Sequence, residues 1–164
     1  MLHDSGLITI TGGKWTTYRQ MATDAVNKAV QTGALAAKAS QTEDLKLHGY
    51  TNENIAGPLC VYGSDAAAIE ALMKKEPLLH RPLAEGFPYT LAEVVWAVKN
   101  EMARTVEDVL ARRLRLLFLD ARKAVEAAPL VASMLRKELG RTEQWEQEQV
   151  RCFTELARPY CLSH

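Results

Sequence analysis

The sequence predicts a mainly α protein: a C-terminal helical bundle preceded by a short β-strand–α-helix segment. Two observations carry this expectation. The apolar stretch Leu7-Ile8-Thr9-Ile10 runs through Gly12-Gly13 into residues at helical spacing, as a strand does when it turns tightly into a helix. Beyond residue 50 every strong periodic signal is helical, and no second strand pattern accompanies the first. With 48% hydrophobic residues among 164, the chain has enough apolar material for a core.

Taken in order, Trp15, Tyr18, Ala22, Ala25, Val26 and Ala29 recur at helical spacing and predict one amphipathic helix ending before Gly33. Ala34 to Gly49 is small and polar and reads as a linker. The expected organisation is therefore 1–33 as the strand and helix, 34–49 as the linker and 50–164 as the helical domain. Ser64 or Asp65 can cap a helix over Ala66 to Met73 that stops before Pro77. Pro77, Pro82, Gly86 and Pro88 predict an irregular stretch with Phe87 and Tyr89 folded inward.

Thr90-Leu91-Ala92-Glu93 has the capping-box pattern, and Leu91, Val94, Val95, Val98 and Met102 follow as a helical stripe. Thr105-Val106-Glu107-Asp108 repeats the start signal ahead of Val109, Leu110, Leu114 and Leu117. Asp120 can cap a helix through Val125, which Pro129 either kinks or restarts. The last helix is expected from about Thr142 to Tyr160, with Trp145, Cys152, Phe153, Leu156 and Tyr160 on one side.

Composition narrows the function. Twenty basic and twenty acidic residues cancel, which gives no electrostatic reason for a nucleic-acid partner or an anionic membrane surface. Cys60, Cys152 and Cys161 are odd in number and form no C-x-x-C pair, as expected in a reducing compartment. His3, His48, His80 and His164 are scattered without ligand spacing, so no metal site is assigned. No basic-then-apolar leader appears, nor any apolar run near the roughly 18 residues of a membrane span, so the chain is expected to be soluble and not exported. A buried-type strand at residue 7 without a companion leads us to expect a piece of a larger protein, with residues 7–11 paired with another copy, folded against the bundle or irregular.

The chemistry concentrates in Gly12-Gly13-Lys14-Trp15-Thr16-Thr17-Tyr18-Arg19. A helix entrance leaves backbone N–H groups without partners and favours negative charge, so this is a place to hold an anion or a polar ring edge. It is not a nucleotide phosphate loop, because Ile8 stands where the first glycine is needed and Trp15 follows the lysine. Trp15 and Tyr18 can serve either as core or as ligand contacts. Arg104, Arg112, Arg113, Arg115, Arg122 and Lys123 gather positive charge that is either a solvated face or a patch facing a phosphorylated substrate or another domain.

The run from Ser5 to Ala22, with Gly12-Gly13-Lys14-Trp15-Thr16-Thr17-Tyr18-Arg19 at its centre, resembles the segment that closes the flavin domain of FAD-dependent glycerol-3-phosphate dehydrogenases. Phe87-Pro88-Tyr89 through Glu93, and Thr105 through Asp120, resemble the helical C-terminal domain of the same family. The resemblance implies oxidation of sn-glycerol 3-phosphate to dihydroxyacetone phosphate, with FAD taking the hydride and quinone reoxidising it. It further implies that Gly12, Gly13, Lys14, Trp15 and Thr16 contact the cofactor and that Lys14 also reaches the substrate phosphate. The full-length enzyme would be cytoplasmic and peripheral to the inner membrane. No G-x-G-x-x-G occurs here, and the upstream arginines and the base are missing, so no catalytic residue is assigned to this fragment. The isolated chain is therefore expected to be inactive and not to bind FAD tightly. Thr23-Asp24 stands where the family more often has an acidic pair, a difference expected to be tolerated at the surface. An alternative reading makes the helical region an interaction or capping module, with homo-oligomerisation possible.

Overall fold

The glycine turn opens a helix, as its composition requires, but the segment before it forms no strand. The computed structural model describes residues 5–161. It divides into two units, Met1–His48 and Gly49–His164. Over residues 7–11 only Ile8 occupies a bridge position and the rest is irregular. The β-strand of the expected fold is thus not formed, and the irregular course expected for residues 7–11 is what appears, because a lone extended segment has no ladder to satisfy its backbone. Past Gly13, a 3-10 turn at Trp15–Thr17 leads into α1, Tyr18–Thr32.

Every residue of α1 is at least partly exposed. Trp15 is 88% exposed, with its ring stacked on Tyr18 at 5.6 Å between centroids. Neither aromatic is core in this chain, which corrects that alternative. Residues 34–47 form no regular element.

The second unit begins with Pro58–Asp65, two short 3-10 turns broken at Gly63, whose φ of 56° and ψ of −130° are not helical. A Cβ on Gly63 would stand 1.9 Å from the Gly49 carbonyl oxygen, so only glycine lets these two strands of chain lie together. Helix α2 follows at Ala66–Lys75. The expected side-chain cap is absent there: Asp65 has right-handed helical dihedrals and simply continues the preceding turn. A 3-10 turn at Pro77–His80 and an antiparallel bridge between Pro82 and Thr90 shape the proline-rich stretch. Phe87 and Tyr89 are half-buried against the core.

Helix α3 runs over Leu91–Asn100 and is apolar almost all round. Met102 lies beyond its end and is 76% exposed, which removes it from the expected stripe. Thr105 and Asp108 cap one another: the Asp108 N–H donates to Thr105 Oγ1 at 3.1 Å, and Asp108 Oδ2 accepts from the Thr105 N–H at 3.0 Å. The expected helix through Leu117 does not form as one piece. Asp108–Arg113 is a π-helical turn, Arg115 is left-handed at φ 59°, and α4 occupies Leu116–Leu119. The wider turn lets Val109, Leu110 and Ala111 all be buried in succession.

Asp120 caps α5, Ala121–Leu139, by accepting from the Lys123 N–H at 3.0 Å. Pro129 does not restart the element; it is exposed within one continuous helix. Thr142 caps α6, Glu143–Ala157, and a 3-10 turn at Arg158–Tyr160 follows. The α6 seam is Phe153 and Ala157, while Cys152 and Tyr160 are exposed. Cys152 is one residue from Phe153 and so stands about 100° round the helix from it, off the seam.

Helix α5 is the centre, packed by α3, α4 and α6. Its buried face is Ala124, Ala127, Ala128, Val131, Ala132 and Leu135, and α6 brings the fully buried Phe153. Truncating Phe153 to Ala removes that ring from a closed core and is expected to cost about 3–5 kcal/mol, measured by urea denaturation at constant slope. A loss below about 1 kcal/mol would show that the seam is not closed there.

Candidate functional site

In the first unit, Gly12 and Gly13 take positive φ values of 79° and 108°, which an L side chain rarely adopts. A Cβ added at Gly12 would meet nothing within 4 Å, so this turn presents bare backbone beside open space. At Gly13 the added atom would collide with Met21 Sδ at 2.1 Å. The Lys14 N–H donates to Thr17 Oγ1 at 3.1 Å, and the Thr17 hydroxyl donates back to the Lys14 carbonyl at 3.0 Å. That closed loop fixes the helix entrance. The Lys14 ammonium has no hydrogen-bond or ion-pair partner among the described residues, and Trp15 and Thr16 are exposed. Gly12, Gly13, Lys14, Trp15 and Thr16 therefore sit together at one open entrance.

Asp24 accepts from Gln20 at 2.8 Å, a surface contact. Arg19 is half-buried and lines a groove of about 610 Å³ between α1 and residues 38–47, with Ala22, Val26, Leu45 and Leu47 on its apolar side.

The second unit holds a polar centre built on Glu93, which is only 2% exposed. Its Oε2 accepts from the Thr90 N–H at 2.7 Å and its Oε1 from the Tyr62 hydroxyl at 3.1 Å. Burial pushes the Glu93 carboxyl above the usual carboxylate range, against the opposing pull of those hydrogen bonds. Burial together with the Glu93 charge drives the Tyr62 phenol far upward. Beside them opens a cavity of about 800 Å³, which Tyr62, Tyr89, Glu101, Arg113 and Arg115 also line.

The arginine cluster is mostly paired. Arg112 reaches Glu107 at 2.6 Å and Asp108 at 3.0 Å. Arg113 lies 3.6 Å from Asp108 and also donates to the Glu101 carbonyl. Arg104 donates to the carbonyls of Val98 and Ala103 at 3.2 and 2.9 Å, and Lys123 pairs with Glu126 at 2.9 Å. Burial works against ionisation of Asp108, but hydrogen bonds from Arg104 and Thr105 outweigh it and lower its carboxyl. Neither Tyr62 nor Glu101 was singled out by periodicity, since Tyr62 lies in a turn 31 residues from Glu93. The one available signal was an acidic residue inside the apolar run Leu91-Ala92-Glu93-Val94-Val95.

Among the described residues, no group of His, Cys, Asp and Glu could hold a metal ion, and no helix is long and apolar enough to cross a membrane. His3 and His164 lie outside the described residues.

The second unit is a closed helical domain, and the first carries a glycine-turned helix entrance. The chain belongs to the family described as the C-terminal domain of alpha-glycerophosphate oxidase, whose model matches residues 7–149. It is 39% identical to the mitochondrial glycerol-3-phosphate dehydrogenase of Rattus norvegicus, over 92% of this chain and 24% of the relative. The human protein of the same name is 36% identical over 91% of this chain and 23% of its own length. The probable mitochondrial glycerol-3-phosphate dehydrogenase of Dictyostelium discoideum is also 36% identical, over 92% and 26%. The chain thus spans about a quarter of the length of these relatives. No solved structure matches it significantly.

The raised Glu93 carboxyl makes a pH prediction. Its native pKa lies above the unfolded value near 4.5, so its favourable contribution is complete below that pH and is lost as pH rises through the native value. Glu93→Gln keeps the acceptor for Thr90 and removes the titration. The urea midpoint of the variant should fall less than that of the parent between acid and neutral pH; parallel curves would contradict the assignment.

Proposed function

We propose that this chain is the C-terminal part of an FAD-dependent glycerol-3-phosphate dehydrogenase, which oxidises sn-glycerol 3-phosphate to dihydroxyacetone phosphate and passes the electrons to quinone. The observation that carries the reading is the bare turn at Gly12-Gly13, set directly before a helix entrance whose lysine is unpaired among the described residues. These residues fit the pyrimidine edge of an isoalloxazine, since open space beside Gly12 admits a flat ring close to the backbone. FAD, when bound, supplies the hydride acceptor.

The chain's own contribution is positioning and electrostatics. The Lys14 N–H is spent on Thr17 Oγ1, so the N–H groups of Trp15 and Thr16 offer the preorganised dipoles where negative charge gathers on reduction. Lys14 provides a point charge for the substrate phosphate. The exposed Leu7, Ile10, Trp15 and Tyr18 supply apolar surface for the rest of a flavin domain to cover. Pyrophosphate binding and the proton-abstracting base belong to residues upstream, so the piece alone neither turns over nor holds FAD tightly.

In the full-length enzyme, Lys14→Ala removes one charged contact to phosphate. Steady-state kinetics should show kcat/KM for sn-glycerol 3-phosphate reduced roughly ten- to hundredfold, chiefly through KM. An unchanged kcat/KM would remove Lys14 from the substrate site.

A further inference from the structure

The helical unit carries a second place where an anion fits, and this goes beyond the flavin reading. The cavity of about 800 Å³ joins an apolar rim of Val61, Phe118 and Leu119 to a polar wall that includes Tyr89 and Arg115. Charge is unevenly spent on that wall. Arg112 and Arg113 are held by Glu107 and Asp108, with Arg113 also bound to the Glu101 carbonyl. The Glu93 carboxylate is occupied by Thr90 and Tyr62. Among the described residues the Arg115 guanidinium has no hydrogen-bond or ion-pair partner.

The backbone of Arg115 is held left-handed at φ 59°, ψ 18°, between the buried Leu114 and Leu116. Non-glycine residues adopt that conformation at a cost, and such strain gathers at binding sites. Here it ends the π-helical turn and leaves Arg115 on the cavity wall. Across that wall the Tyr89 hydroxyl is also without a hydrogen-bond partner among the described residues; burial and the Glu93 charge push it up, and the charge of Arg115 pulls the other way. The Tyr89 ring is steadied by stacking on Phe87 at 6.2 Å.

We propose that Arg115 and Tyr89 form a binding site for a small organic oxyanion whose apolar part rests on Val61, Phe118 and Leu119. The guanidinium fork suits a phosphate or carboxylate head, and the phenol adds one donor. Glu101 does not oppose this strongly, because it sits beside the Arg113 guanidinium and burial raises its carboxyl.

Phenyl phosphate is a suitable probe, titrated calorimetrically into the chain. Saturable binding is expected. It should weaken at least about tenfold in Arg115→Asn, which removes the charge but tolerates the left-handed backbone, and about threefold in Tyr89→Phe. Absence of saturable binding, or equal affinity in Arg115→Asn, overturns the site. So does preference for benzylamine, which would indicate that the carboxylates dominate. Association only with phosphatidylglycerol vesicles overturns the soluble ligand. Should Arg115→Asn melt below the parent, Tyr89→Phe decides, and unchanged affinity in that variant overturns the proposal.

Discussion

The small-residue face of α5 is the constraint from which the helical unit follows. Alanines at 124, 127, 128 and 132 bury little area themselves, but they let α3, α4 and α6 come close around one axis. The larger side chains that fill the core then arrive from the neighbours, Val94 and Leu91 from α3, Leu116 and Leu117 from α4, and Phe153 from α6. Pro129 is compatible with this arrangement because it lies on the exposed side, where a freed carbonyl can meet water. Ion pairs such as Lys99–Glu138 at 3.1 Å and Arg136–Glu146 at 2.5 Å join the same helices at their edges. Partly exposed pairs of this kind add little to apolar burial.

Around that hub, one buried carboxylate organises the polar side. Glu93 both completes the start of α3 and holds Tyr62, which ties the Pro58–Asp65 turns to the bundle. The glycine contact between residues 63 and 49 secures the other end of the same turns. The cavity wall thus rests on a side chain that must be satisfied in place, since an unpaired buried carboxylate would cost far more than its hydrogen bonds from Thr90 and Tyr62 return. The π-helical turn and the left-handed Arg115 then set the arginines along the opposite wall.

Much of the helical architecture was legible because its signals are local. Thr90, Thr105, Asp120 and Thr142 announce helix starts within three or four residues of themselves, and each is used. Expectations failed where the deciding partner is distant or absent. Residues 7–11 have strand composition but no ladder, and Trp15 and Tyr18 have a helical phase but no covering surface. The π turn depends on how Val109 to Ala111 pack rather than on their order. Similarly, Gly12 to Thr16 are consecutive and could be read together, whereas the Tyr62–Glu93 pair joins residues 31 apart and had no periodic signature.

The helical unit closes its own core, whereas the leading segment keeps Leu7, Ile10, Trp15 and Tyr18 exposed. Native-state hydrogen exchange on residues 1–164 tests this most directly. Amides of α3, α5 and α6 should exchange only through global unfolding, while those of α1 exchange through low-energy local opening and lose little protection when urea is added. Protection of α1 equal to that of α5, with the same urea dependence, would contradict the division.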